Sequence, residues 1–310
     1  MKTGGIIHEA SMILPHGIRS ALKKYKNYIY RRYFNLRFGP PMPRDPRVPS
    51  EWYLNYLKRR FGDRVKLQDA GPPAPPELIK TEALMHADDL NVRAMPEWYF
   101  DTGRRDAWTV LSMVEKYGAE ATAMRSVLEF GCGSARVLRH FRYIEGLRLA
   151  GTDANPKPIE WDRQNLPCIE FNHNELQPPL SYKNQSFDLI YALSVFTHIP
   201  LAWQGAWLDE LHRVLRPGGY LLCTFHGENF VNSMLNSGDR LRLQRKGNLT
   251  LDAKSAQATY STQVLGSWDV YQSRDEIRKA VGKNFEFLCY EPEATCHQDT
   301  VVLRKSASPV

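Results

Sequence analysis

No apolar run in the 310 residues reaches the roughly 18 needed to cross a bilayer. The first apolar stretches, Ile6-Ile7 and Met12-Ile13-Leu14, are broken by His8 and Glu9, so no secretory leader is expected there. A cytoplasmic location is the resulting expectation. The five cysteines (Cys132, Cys168, Cys223, Cys289 and Cys296) contain no CxxC pair. This argues against a disulfide framework or a zinc module and reads as a set of reduced, mostly buried thiols. Internal repeats are missing as well. What is present is a globular balance, 43% hydrophobic against 24% charged residues, which excludes a disordered chain, a collagen-like repeat and a coiled-coil rod.

The net charge of +7 is unevenly placed. Residues 1–68 hold 15 Lys and Arg against 4 acids, whereas the rest holds 26 against 30. The basic character therefore belongs to an N-terminal extension. Within it, Ile18, Leu22, Tyr25, Ile29, Tyr33 and Leu36 recur at helical spacing among basic residues. Gly39-Pro40-Pro41 ends that pattern, a second short helix is expected over 51–61, and the Pro-rich stretch 71–76 reads as a stiff connector. We expect 1–100 to be this extension and 101–310 to be the main domain, with an insert at about 228–268.

From about residue 104 short apolar strands alternate with helical patterns. Helices are expected over 105–117, 136–142, 201–215 and 275–281. Strands are expected over 126–130, 147–152, 168–171, 187–193, 220–225, 285–291 and 300–303. Such alternation predicts an α/β fold with a mostly parallel sheet, helices on both faces and a ligand at the carboxyl ends of the strands. The most informative stretch is Val127-Leu128-Glu129-Phe130-Gly131-Cys132-Gly133-Ser134, an apolar strand running into two glycines. Glycines there allow a tight turn and close approach of a ligand to main-chain N–H groups. A dinucleotide fingerprint wants a small residue three positions after the second glycine, where this chain has Arg136. Glu129, two residues before the first glycine, would repel a pyrophosphate and suits a ligand carrying sulfonium or ammonium charge. Both features disfavour a nicotinamide dehydrogenase. Asp153 follows Gly133 by 20 residues and ends the next strand, where an acid can bind both hydroxyls of a ribose.

These motifs resemble the class I S-adenosylmethionine (SAM) dependent methyltransferase family, over about residues 100–310. The resemblance implies a Rossmann-like seven-stranded sheet whose last strand is antiparallel and inserts beside the fifth. It implies that Glu129, Gly131, Cys132 and Gly133 cradle the methionine end of SAM, and that Asp153 and Ala154 lie at the ribose. Asn172, with His173, falls where the family usually has an acid for the adenine amino group. Leu193 and Ser194 end the strand beneath the sulfonium. Arg104 is a candidate for the cofactor carboxylate, with surface packing as its alternative. Asp188 reads as a strand-start hydrogen bonder.

In that topology His198 follows strand four, His226 follows strand five, and His297 precedes strand seven beside Gln298 and Asp299. One of the three is expected to be the general base that a hydroxyl acceptor needs, His198 or His297 first. No metal is expected. The expected acceptor is a small molecule or glycan, with a lipid-linked sugar among the candidates and the stripe 18–37 making peripheral membrane contact. The same stripe suits packing on the protein's own core or on a second subunit of a homo-oligomer, or RNA by phosphate contact and stacking. A non-catalytic SAM-fold scaffold is the reading from another functional class.

Overall fold

The computed structural model describes residues 47–82, 95–227, 231, 235–252, 268–282, 284–295 and 298–306. The expected helix over 18–36 lies outside the described residues. None of the described helices is long and apolar enough to cross a membrane.

The first helix, α1 (Glu51–Phe61), buries Tyr53, Leu57 and Phe61, one residue per turn on one face. It is followed by α2 (Pro76–Glu82) and α3 (Met95–Lys116). Helix α3 begins well before the expected residue 105, because Pro96 stands in its first turn, where the missing N–H costs nothing. Then come β1 (Ser126–Phe130), β2 (Arg148–Asp153), α4 (Pro156–Asn165), β3 (Glu170–His173), β4 (Phe187–Ala192), α5 (Leu201–Val214) and β5 (Leu215–Phe225). The insert contributes α6 (Ser237–Lys246), β6 (Asn248–Leu251) and β7 (Asp269–Gln272). The chain closes with α7 (Arg274–Val281), β8 (Phe285–Thr295) and β9 (Gln298–Lys305).

Seven strands form one sheet in the order β3-β2-β1-β4-β5-β9-β8. The strands β1 to β5 are parallel, and β9 runs antiparallel between β5 and β8. This is the expected Rossmann-like arrangement. Every residue of β1 is buried, as a central strand covered on both faces requires. One face packs Val127, Leu189, Leu222 and Val302 together with Tyr53, Leu57, Val110 and Val114 of α1 and α3. The other packs Leu128, Ile190, Leu221 and Val301 against Trp207 and Leu211 of α5 and Ile277 of α7. Residues of the 49–79 stretch are thus a wall of the main core.

The helix expected over 136–142 is instead a turn and a 3-10 segment, Leu138–Tyr143. Five of its six residues are buried, so it has no solvent face. Its first amide is taken by a carboxylate, with Leu138 N–H donating to Glu129 Oε2 at 3.1 Å. The third strand sits two residues later than expected, and β5 starts five residues earlier, accommodating Pro217-Gly218-Gly219 with a shift in its pairing to β4.

In the insert, β6 and β7 make a separate two-stranded antiparallel sheet. Its apolar side collects Val231, Leu235, Leu243, Leu249, Leu251 and Tyr271. Backbone bonds anchor β7 to the ends of β4 and β5: Val270 N–H donates to Thr197 O at 2.8 Å and Gln272 N–H to His226 O at 3.1 Å. The insert therefore sits over the carboxyl end of the sheet.

Candidate active site

The loop after β1 lies between β2 and the chain leaving β4. Gly131 has φ +75°, and a Cβ there would stand 2.3 Å from Val195 Cγ2. Only glycine leaves this approach open. Gly133 (φ +51°) and Ala135 (φ +54°) are also left-handed, so the loop turns at alternate residues. Such alternation folds the loop back on itself and brings its amides onto acceptors at the end of β2. Gly131 and Cys132 donate to Thr152 O, which ties the loop to β2.

Asp153 closes β2. Its Oδ2 accepts Gly133 N–H and its Oδ1 accepts Asn155 N–H, both at 2.8 Å. Each oxygen keeps a lone pair, so the carboxylate has the capacity to take two further hydroxyl donors. Burial raises the Asp153 pKa, opposed by the Asn155 and Gly133 amides and the charge of His173. Across the register from Asp153 lies His173, whose Nε2 is 3.1 Å from Ala154 O. The neighbouring Asn174 donates its amide N–H to Asp153 O, and its side-chain oxygen accepts the Thr152 hydroxyl at 2.7 Å. Asn172 directs its amide sideways, to Glu170 and to the Tyr182 hydroxyl at 3.1 Å each.

The loop is braced from below and behind. Glu129 holds Leu138 N–H, and its carboxylate, with burial, pushes the pKa of the neighbouring Tyr191 hydroxyl well up. Arg139 is fully buried. Its guanidinium donates to Ser134 O (2.9 Å), Ala135 O (3.0 Å) and Pro72 O (2.6 Å), and stands over the rings of Tyr99, Phe100 and Trp161. Tyr99 adds a hydroxyl bond to Ser134 O at 2.6 Å.

At the other end of the cleft, Ser194 leaves β4 in a left-handed conformation (φ +58°). Its amide donates to Thr224 Oγ1 (2.8 Å) and its hydroxyl to Gln298 Oε1 (3.2 Å), which also accepts Thr224 at 2.6 Å. This joins β4, β5 and β9. His198 Nδ1 lies 2.9 Å from Trp268 O and 3.5 Å from Asp269 Oδ1. The His198 side chain keeps 17% exposure and Asp269 none. Burial lowers the His198 pKa against the opposing pull of the Trp268 carbonyl and the Asp269 charge. His226 is buried edge-on to His198, 6.1 Å between ring centres, and desolvation with that neighbour pushes its pKa well down. Both rings are neutral at pH 7. Asp299 is buried, accepting the Tyr290 hydroxyl and Glu293 N–H.

Residues 128–223 match the family of methyltransferase domains. The ribosomal protein L11 methyltransferase of Pseudomonas paraeruginosa is 26% identical over 178 residues, 55% of this chain and 53% of that protein. The malonyl-[acyl-carrier protein] O-methyltransferase of Yersinia pestis is 26% identical over 125 residues, 39% and 44% of the two chains. A solved SAM-dependent methyltransferase of Methanosarcina mazei superposes with a TM-score of 0.47 at 18% identity, covering 63% of this chain and 98% of that one. This chain carries a methyltransferase domain over residues 128–223. It spans about half the length of the L11 relative it matches.

The residues of the methyltransferase domain fit the cofactor. The left-handed turn at Gly131, packed against Val195, and the open lone pairs of Asp153 suit the methionine and ribose parts of SAM. The structure brings together the expected Gly131, Cys132, Gly133, Asp153, Ala154 and His173, with Leu193 and Ser194 at the end of β4. Arg104 is placed elsewhere: it is buried beneath the 48–50 stretch, with Nη1 donating to Val48 O at 3.2 Å. Asp188 sits at the start of β4, accepting Arg125 N–H, Ser126 Oγ–H and an Arg216 N–H, each at 2.8 Å. His198 and His226 are neighbours, as expected, while His297 lies outside the described residues. Among the described residues no three His, Cys, Asp or Glu side chains are grouped to hold a metal. Two residues escaped the sequence reading. Arg139 directs its hydrogen bonds to backbone carbonyls, which carry no sequence signal. Asp269 reaches the site through the return strand of an insert, a non-local placement.

Proposed function

We propose that the protein transfers the methyl group of SAM to a hydroxyl oxygen of a small-molecule or glycan acceptor, with His198 as general base. The observation that carries the reading is the pairing of a glycine–Asp153 cradle with a neutral, partly exposed imidazole at the end of the adjoining strand β4. When bound, SAM supplies the electrophilic methyl and its own leaving group, so the protein's work is alignment, exclusion of water and proton acceptance. Asp153 and the glycine turn it braces shape the cofactor end. The insert covers the acceptor end. His198 takes the hydroxyl proton on the ring nitrogen that the Trp268 carbonyl leaves unbonded, as the new C–O bond forms. The name of the Yersinia pestis relative records an oxygen acceptor on a related domain.

The test is labelled-methyl SAM with whole-cell extract, separated into lipid and glycan, small-molecule, nucleic-acid and protein fractions. Label in the first two, lost with Asp153→Ala, is the expected result. Label confined to nucleic acid or protein overturns the acceptor class. No label anywhere, with SAM binding verified, overturns the activity.

A further inference from the structure

We infer that Asp269, carried by the insert, is the positioning residue that sets the tautomer and basicity of His198, so that the base is assembled only when β7 is seated on the sheet. The inference deepens the proposed reaction and rests on His198 being its base. Three observations carry it. First, Trp268 O at 2.9 Å and Asp269 Oδ1 at 3.5 Å both face Nδ1. Both are acceptors, so Nδ1 must carry the proton and Nε2 is left with the lone pair. Second, the strand that begins at Asp269 is fixed immediately after it, by Val270 N–H on Thr197 O and Gln272 N–H on His226 O. The residue before His198 thus holds the strand that supplies the carboxylate. Third, Asp269 is fully buried, so its charge acts on the imidazole with little screening.

Among the described residues, the other titratable groups beside the ring are His226, just after β5, and Tyr271 of β7, whose ring is tilted against His226 with centroids 5.0 Å apart. His226 is neutral at pH 7 and adds no competing positive charge there. When a hydroxyl proton reaches Nε2, the ring becomes an imidazolium with Nδ1–H on the Trp268 carbonyl and a carboxylate 3.5 Å away. Nothing else has to move to stabilise it. The relation is that of a base and its orienting acid, the acid at the start of β7 and the base in the turn that follows β4.

The experiment needs no acceptor. Full-length protein labelled with 15N-histidine is saturated with S-adenosylhomocysteine, and its imidazole nitrogens are followed by NMR from pH 5 to 8. His198→Gln identifies the signal. The expected result is the Nδ1–H tautomer for neutral His198 in the wild type, and a titration midpoint lower by about one unit in Asp269→Asn, from loss of a nearby opposite charge. A residue that merely filled space would lower stability and leave both signatures unchanged. An Nε2–H tautomer in the wild type overturns the inference, and does so even where Asp269→Asn does not fold. An unmoved midpoint in folded Asp269→Asn overturns it equally. Failure of the base reading shows itself separately: His198→Gln would then transfer label to the extract at the wild-type rate, removing the catalytic purpose of the pair.

Discussion

Arg139 offers the sharpest test of how the cofactor loop is held. Its guanidinium donates to three carbonyls, Ser134, Ala135 and Pro72, and is fully buried. Replacing it by Met keeps the length and removes the donors. The three carbonyls are not equally exposed to that loss. Ser134 O retains the Tyr99 hydroxyl and Ala135 O retains the Arg139 backbone N–H at 3.2 Å. Only Pro72 O loses its named partner, at a cost of about 1–3 kcal/mol for a buried unsatisfied group. The lost bonds of the charged donor to the other two add to this, while relief of guanidinium desolvation offsets part. A net loss of about 2–4 kcal/mol follows. Arg139→Lys should be no milder than Arg139→Met, because one ammonium cannot reach three carbonyls yet still bears the cost of burying its charge. The SAM loop, with Ala135 left-handed, would loosen in both, and we expect SAM affinity to fall about tenfold, equivalent to 1.4 kcal/mol. Denaturant unfolding and SAM titration calorimetry read the two quantities. Wild-type stability and affinity in Arg139→Met, or a near-neutral Arg139→Lys beside a damaging Arg139→Met, would refute the reasoning.

Gly131→Ala places a Cβ 2.3 Å from Val195 Cγ2 at φ +75°, and should weaken SAM binding at least tenfold by calorimetry. Adding Val195→Ala should restore space but not the backbone, so recovery is expected to be partial. Because burial raises the Asp153 pKa, protonation sets in at a higher pH than for an ordinary carboxyl, and SAM affinity should decline as pH falls through that raised value. Asp153→Asn should abolish this pH dependence along with most of the affinity. His140 is fully buried, and neither ring nitrogen has a hydrogen-bond partner among the described residues. Desolvation, with Arg104, Arg139 and Arg136 nearby, pushes its pKa well down. A proton is therefore bound more readily by the unfolded chain, so stability is full above the unfolded pKa of about 6.5 and falls below it. Urea midpoints at pH 5 and 7.5 should converge in His140→Leu relative to wild type. Gly103→Ala would drive a Cβ to 2.1 Å from Arg136 O and should destabilise by about 1–3 kcal/mol in the same assay.

The sheet and the glycine turn after β1 were legible because their signals are local. An apolar five-residue strand followed by two glycines leaves one reading of the turn, and Asp153 follows at the end of the next apolar run. Segments that failed to read did so for tertiary reasons. Leu138–Tyr143 has the composition of a helix, but it is buried on nearly all sides and its first amide goes to Glu129. The stretch around Tyr53 and Leu57 looked like an appendage because its basic residues dominate the count, although its few apolar residues enter the main core. Strand β7 is wholly buried, Asp269 and Gln272 included, so the alternation that marks a half-exposed strand is absent from it.

That last departure bears on how the acceptor end works. A buried carboxylate and a buried amide in a four-residue strand are costly unless their surroundings use them. Gln272 Oε1 accepts from Gln204 at 3.2 Å, and Gln204 also donates to Phe196 O and Ile199 O, the backbone on either side of His198. Asp269 faces His198 itself. Both polar residues of β7 are thus spent on the turn that carries the imidazole. Thr197 O and His226 O hold the strand from the other side. The polar burial in β7 makes the insert part of the frame around the His198 imidazole. Substitutions in the apolar cluster of the insert, such as Leu249→Ala with its large-to-small cost of about 2–5 kcal/mol, should reach His198 through the β6–β7 pair. They should leave the Gly131–Asp153 end, and hence SAM affinity, unchanged. Parallel loss of SAM affinity and of the His198 NMR signature would show that the two ends do not separate in this way.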